Sequence, residues 1–183
     1  MRHLPNLICL FRIALIWPIV ATLWTGRYPE SLALFLLAAA SDGLDGYLAK
    51  RFGWQSALGK LLDPLADKLL LVAVFIEAAW LGLVPWWLTA AAVARDVLIG
   101  LGALAFRFLF GPLRGRPTLV SKINTAVQLG FLMLVMVRAA TGFPPGEILE
   151  ATAILTVCTT FISGFDYVST FTRRAWSQPV SPS

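Results

Sequence analysis

Six long apolar runs, each near the length a helix needs to cross a bilayer, constrain this chain more than any other feature. A helix rises about 1.5 Å per residue, so roughly 20 residues traverse the hydrocarbon core. Runs of that kind fall at residues 5–25, 31–51, 58–82, 86–109, 118–140 and 147–172. The breaks between them are turn-forming clusters: TGRYPE, RFGWQS, GLVP, GPLRGRP and TGFPPGE. Composition agrees, with 58% hydrophobic and 14% charged residues, where soluble domains carry about 25% charged residues. The expectation is an all-α integral membrane protein of six transmembrane helices. Residues 1–176 form one membrane domain, and the polar, Pro-containing tail 177–183 is disordered. The first run also invites a signal-peptide reading, but Arg12 interrupts its apolar core and no small-x-small cleavage site follows. Cys9 and Cys158 both lie inside apolar runs, which suits packing better than a disulfide.

Lysine and arginine near the ends of the spans set the orientation. With six spans both termini share one side, which carries Arg2, Lys50, Arg51, Arg107, Arg114, Arg116, Arg173 and Arg174. The other side carries only Arg27 and Arg138. The termini and the RFGWQS turn are therefore expected in the cytoplasm, which for a bacterial chain means the inner or plasma membrane. Trp24, Trp80, Trp86 and Trp87 fall where an outer aromatic belt belongs. The net charge of +5 follows this topology, so no nucleic-acid partner is expected.

Against this apolar background, four aspartates flank the cytoplasmic turn between the second and third spans, which form an antiparallel hairpin. Asp42, Asp45, Gly46 and Ala49 follow i, i+3, i+4, i+7 spacing and share one helix face. Gly59, Asp63 and Asp67 are spaced by four and share a face of the next helix. All four carboxylates meet at one depth, just inside the cytoplasmic interface. In a low-dielectric site they need a bound cation or proton. Oxygen ligands without histidine or cysteine point to Mg²⁺ or Mn²⁺, and a cluster of this size can hold two ions that clamp a phosphoryl group. The small residues Gly46, Ala49 and Gly59 admit a close helix or a flat nucleobase, and Lys50, Arg51 and Lys60 can meet diphosphate oxygens. Two other readings stand beside this one. The aspartates can pair with Lys50, Lys60 and Lys68 to stitch helices together, or they can form a transport or proton-relay site.

From end to end the stretch resembles the signature D-x2-D-G-x2-A-R-x8-G-x3-D-x3-D of the CDP-alcohol phosphatidyltransferases. It stands here as Asp42, Asp45, Gly46, Ala49, Lys50, Gly59, Asp63 and Asp67 with every spacing kept. Lys50 replaces the usual arginine, keeping the charge but losing the planar fork for bidentate phosphate contact. The likeness extends over nearly the whole chain. Pro5-Asn6-Leu7-Ile8 with Arg12 is similar to the family's N-terminal pattern, and Arg95-Asp96 to its Arg-acidic pair in the fourth helix. The segment PTLVSKINTAVQ, residues 117–128, most resembles the eukaryotic-type cardiolipin synthase branch, with phosphatidylglycerophosphate synthases as the sister branch.

The resemblance implies six transmembrane helices, a homodimer and an active site open to the cytoplasmic side of the bundle. It implies that an acceptor hydroxyl attacks the phosphatidyl phosphorus of CDP-diacylglycerol and that CMP leaves. Asp42, Asp45 and Asp63 would be metal ligands, and Asp67 both a ligand and the general base. Gly46, Ala49 and Gly59 would border the cytidine, and Lys50 the diphosphate. The favoured acceptor is phosphatidylglycerol, which gives cardiolipin; glycerol 3-phosphate is the alternative. His3 is the only histidine, which disfavours an imidazole base and the phospholipase D-type route.

Other polar residues carry two readings each. Arg114, Arg116 and Lys122 either follow the positive-inside pattern and meet anionic headgroups, or form a pocket for the acceptor's phosphate, with Lys122 the strongest candidate. Arg95 and Asp96 lie mid-span, where ionisable groups are rare. They either form a structural ion pair that includes Asp166 or line the acceptor site. Asn124 and Gln128 suit a hydrogen bond to a neighbouring helix as well as a substrate. Glu77, Glu147 and Glu150 are expected to be solvated or interfacial. Outside the family, the rivals are an aspartate-rich intramembrane prenyltransferase and a divalent-cation or proton-coupled transporter.

Overall fold

The computed structural model describes the backbone of residues 4–52, 59–110 and 118–177, with side chains over 8–41, 43, 65–102 and 118–170. Among the described residues all regular structure is helical: α1 (Leu4–Trp24), α2 (Tyr28–Phe52), α3 (Gly59–Trp80), α4 (Trp86–Phe110), α5 (Leu119–Thr141) and α6 (Gly146–Ser177). Each helix coincides with one apolar run. α6 runs farthest past its expected end, to Ser177, because no glycine or proline interrupts FTRRAWS. Residues 178–183 of the expected tail lie outside the described residues.

Helix ends are set by local chemistry. Gly26, Gly82 and Gly142 follow α1, α3 and α5 with φ of +72°, +72° and +77°, a left-handed conformation open to glycine at little cost. At Gly82 the turn closes with Leu83 N–H donating to the Ala78 carbonyl at 2.8 Å and Gly82 N–H to Ala79 at 3.1 Å. A Cβ at Gly82 meets nothing within 4 Å, so only the backbone resists substitution there. Gly82→Ala is expected to cost about 1–2 kcal/mol of stability, read as a lowered unfolding midpoint in detergent. At the start of α5, Thr118 is the N-cap and its side chain accepts from Ser121 N–H at 3.2 Å.

α1 packs against both α2 and α3, and α5 against α2, α3 and α6; α4 packs against α3 and α6. The apolar core lies where α1, α2, α3 and α5 converge, with Phe75 and Phe131 stacked at 6.3 Å between ring centroids. Gly102 gives α6 its close approach to α4. A Cβ there would stand 2.9 Å from the Tyr167 hydroxyl, which donates to the Ile99 carbonyl at 2.9 Å.

Around this apolar core, large apolar side chains are exposed and several polar ones are buried. Trp17 and Phe165 are 77% and 78% exposed, while Arg12 and Asn124 are 0% exposed. Along α6 the outward face carries Ile154, Phe161 and Phe165, and the buried face carries Thr156, Thr160 and Ser163. Apolar residues outside and polar residues within match a lipid surround. Within the described residues, Leu119–Thr141 and Gly146–Thr170 are long and apolar enough to cross a membrane, and Ile8–Trp24 and Tyr28–Ser41 are shorter apolar helices. Trp24, Trp80, Trp86 and Trp87 are all exposed beside the 25–27 and 81–85 connections, and Trp80 meets Trp86 edge-on at 6.1 Å.

Two expectations are corrected. Glu77 is not solvated: it is buried near the end of α3, and its Oε1 has no hydrogen-bond partner. Its sequence position near a helix end did not disclose this burial. Arg95 pairs with Asp96 rather than with Asp166. Glu147 and Glu150 are exposed as expected; Cys9 is buried and Cys158 exposed.

Candidate active site

The helical register carries Asp42, Asp45, Gly46, Ala49 and Lys50 on the last part of α2, and Gly59, Asp63 and Asp67 on the first part of α3. Of these eight, Asp67 has its side chain within the described residues; the side chains of the other seven lie outside them, as do Arg114 and Arg116 entirely. Lys122 is exposed on the first turn of α5.

Asp67 is 37% exposed, and its Oδ1 accepts from a guanidinium nitrogen of Arg12, whose side chain is fully buried. α1 brings Arg12 there because it packs on α3, with Leu15 and Ile19, one to two turns further along, buried in the shared core. Burying a guanidinium requires an anion beside it, and Asp67 supplies that charge. Arg12 and Asp67 line one wall of a cavity of about 90 Å³ between α1, α2, α3 and α5. Thr125 adds a hydroxyl, and Ala38, Leu70 and Leu129 make the remainder largely apolar. An ionised carboxylate therefore faces a small recess lined mostly by hydrocarbon, where electrostatic interactions are stronger than in water. A carboxylate there can accept a proton from a hydroxyl or ligate a cation.

A second ionic group lies alongside. Asp96 is 7% exposed and its Oδ1 accepts from Lys68 and, at 2.6 Å, from Arg95. Arg95 also donates to Ser121 Oγ at 2.8 Å and to Ser163 Oγ. One buried arginine thus ties α4 to α5 and α6, and Asp96 ties α4 to α3. Among the described residues Lys68 pairs with Asp96 and Asp67 with Arg12; Lys50 and Lys60 of the lysine-stitching alternative have their side chains outside them. Thr160 of α6 donates to Asn124 Oδ1 at 3.1 Å and Gln128 Nε2 to Thr160 at 3.5 Å, which places both amides in the α5–α6 interface.

The donor chemistry fits a hard divalent ion. The four aspartates offer oxygen ligands, and Asp67 is exposed enough to be reached. Among the described residues no group of three or more His, Cys, Asp or Glu gathers; the side chains of Asp42, Asp45 and Asp63 are outside them.

What the sequence alone missed is the identity of the partners. Arg12 stood out as a charge in an apolar run and as part of the family's N-terminal pattern, and neither pointed to a carboxylate 55 positions away. Lys68 and Asp96 are 28 positions apart. The physical sign in the sequence was an ionisable residue deep in an apolar helix.

Comparison with known proteins bears on the same residues. The family model for CDP-alcohol phosphatidyltransferase matches residues 2–163, which include the whole carboxylate stretch and Arg12. Cardiolipin synthase (CMP-forming) of Rattus norvegicus is 31% identical over 180 residues, covering 90% of this chain and 60% of the relative. Its namesake in Homo sapiens is 30% identical over 180 residues with the same coverage. The CDP-diacylglycerol–glycerol-3-phosphate 3-phosphatidyltransferase 1 (chloroplastic/mitochondrial) of Arabidopsis thaliana is 38% identical over 101 residues, 50% of this chain and 34% of the relative. The chain thus spans about 60% of the length of the two animal relatives. Six helices, two aspartate pairs at the signature spacing and a family match over most of the sequence have one common explanation: the chain belongs to the CDP-alcohol phosphatidyltransferase family.

Proposed function

We propose that the protein is a membrane-embedded enzyme that transfers the phosphatidyl group of CDP-diacylglycerol to an acceptor hydroxyl and releases CMP. The observation that carries this reading is Asp67, a reachable carboxylate held at a recess and the last aspartate of the family signature, in a chain that the family model matches over residues 2–163. The favoured acceptor is phosphatidylglycerol, in line with the names of the relatives similar over 90% of the chain. Glycerol 3-phosphate is the second acceptor, favoured by the similarity to the Arabidopsis enzyme.

In this reading all six helices span the bilayer, both termini and the site face the cytoplasm, and the protein is a homodimer. Asp42, Asp45, Asp63 and Asp67 would hold two Mg²⁺ or Mn²⁺ ions. When bound, such ions neutralise the diphosphate and favour displacement at its phosphorus. The chain's own residues do the rest. Gly46, Ala49 and Gly59 border the cytidine and Lys50 the diphosphate, while Arg114, Arg116 and Lys122 receive the acceptor's phosphate. Asp67 takes the proton of the acceptor hydroxyl as that oxygen bonds to the phosphatidyl phosphorus. The phosphorus–oxygen bond to CMP breaks, and CMP departs with the bonding electrons. The apolar walls keep bulk water, the competing nucleophile, from the phosphorus.

The experiment is to supply purified protein with CDP-diacylglycerol and each acceptor separately, and to identify the lipid formed. Cardiolipin from phosphatidylglycerol is expected; a product from glycerol 3-phosphate alone would replace the acceptor assignment. Lys50→Arg, which restores the family residue, is expected to change the rate less than about threefold, since charge and reach are kept. A large loss in that assay would mean that the site has been rebuilt around lysine.

A further inference from the structure

We infer that Arg12 is a positioning residue: its buried guanidinium holds the Asp67 carboxylate in the orientation that metal and acceptor require. The inference rests on the proposed metal role of Asp67.

Three observations combine. Arg12 is 0% exposed, so its side chain is fixed by packing rather than free to sample solvent. Its helix, α1, packs against both of the helices that carry the aspartates. Its guanidinium donates to Asp67 Oδ1 while both residues face one recess. A helix-stitching ion pair has no need to lie at a cavity.

The chemistry of arginine suits this task. Guanidinium stays protonated at any working pH, so it cannot take the proton that Asp67 is to receive. It contributes direction and a fixed charge instead. A charge-assisted hydrogen bond strengthens where water is excluded, and a carboxylate held by such a bond loses little freedom when it engages a cation. Groups that hold a ligating carboxylate in this way typically control metal affinity or activity by about 10–100-fold. Lysine in the same place keeps the charge but presents no planar fork.

The test uses the full-length protein in detergent, without substrate, titrated with Mn²⁺ and followed by the loss of the free-ion electron paramagnetic resonance signal. Arg12→Lys is expected to weaken Mn²⁺ binding about tenfold or more. The same substitution in an Asp67→Asn background is expected to add less than about twofold, because the carboxylate it would misdirect is gone. Arg12→Gln, which has amide donors and no buried charge, is measured in parallel, so that a poorly folded lysine variant does not end the test. Wild-type affinity in a folded Arg12 variant would overturn the inference. So would an equal loss in both backgrounds, since a purely structural arginine acts independently of Asp67. Wild-type protein that binds Mn²⁺ with this coupling but releases no CMP from CDP-diacylglycerol would overturn the proposed activity and leave the role of Arg12 standing.

Discussion

Asp67→Asn is expected to slow CMP release by about 10²–10⁴-fold, the range that a positioned general base contributes. Asparagine keeps the shape and an oxygen for Arg12 but cannot accept the acceptor's proton. CDP-diacylglycerol binding is expected to survive, because Asp42, Asp45 and Asp63 remain to hold the ion and Gly46, Ala49 and Gly59 to border the cytidine. Single-turnover CMP release measured beside equilibrium binding of the CDP-lipid separates the two effects. Near-normal turnover would remove Asp67 from the proton transfer. Loss of binding and turnover together would make it a ligand first.

The largest expected effect on stability belongs to Asp96. It stands between two cations, and its Oδ1 accepts from both Lys68 and Arg95. Arg95 is 4% exposed at the side chain and reaches Ser121 and Ser163 on two further helices. Asp96→Ala leaves that guanidinium buried without its anion, a situation that costs about 3–5 kcal/mol. Asp96→Asn keeps an acceptor oxygen and is expected to lose less. Unfolding by denaturing detergent, followed through the tryptophans, reads both variants. A loss below about 1 kcal/mol for Asp96→Ala would mean that water or a neighbouring group reaches Arg95 in its place.

Helix positions were legible in the sequence for a physical reason. Apolar length and turn chemistry are local, so Gly26, Gly82 and Gly142 announced three of the connections before any packing was known. The aspartate pairs were equally legible, because i, i+3, i+4 spacing is a property of one helix. Partners across helices were not. Arg12 with Asp67, Lys68 with Asp96, and Arg95 with Ser121 and Ser163 depend on which helix lies beside which. The succession of α2 and α3 is local in the chain, whereas α1 resting against both is a property of the bundle. Glu77 shows the same limit from the other side: its place near a helix end suggested solvent, and the surrounding helices bury it.

The central claim is that this carboxylate site performs phosphatidyl transfer rather than ion transport. The most direct measurement follows CMP release and Mn²⁺ uptake in the same proteoliposomes supplied with CDP-diacylglycerol and phosphatidylglycerol. The account predicts Mn²⁺-dependent CMP release with matching formation of cardiolipin, no net Mn²⁺ entry, and loss of CMP release in Asp67→Asn. Mn²⁺ entry without CMP from either phosphatidylglycerol or glycerol 3-phosphate would contradict it.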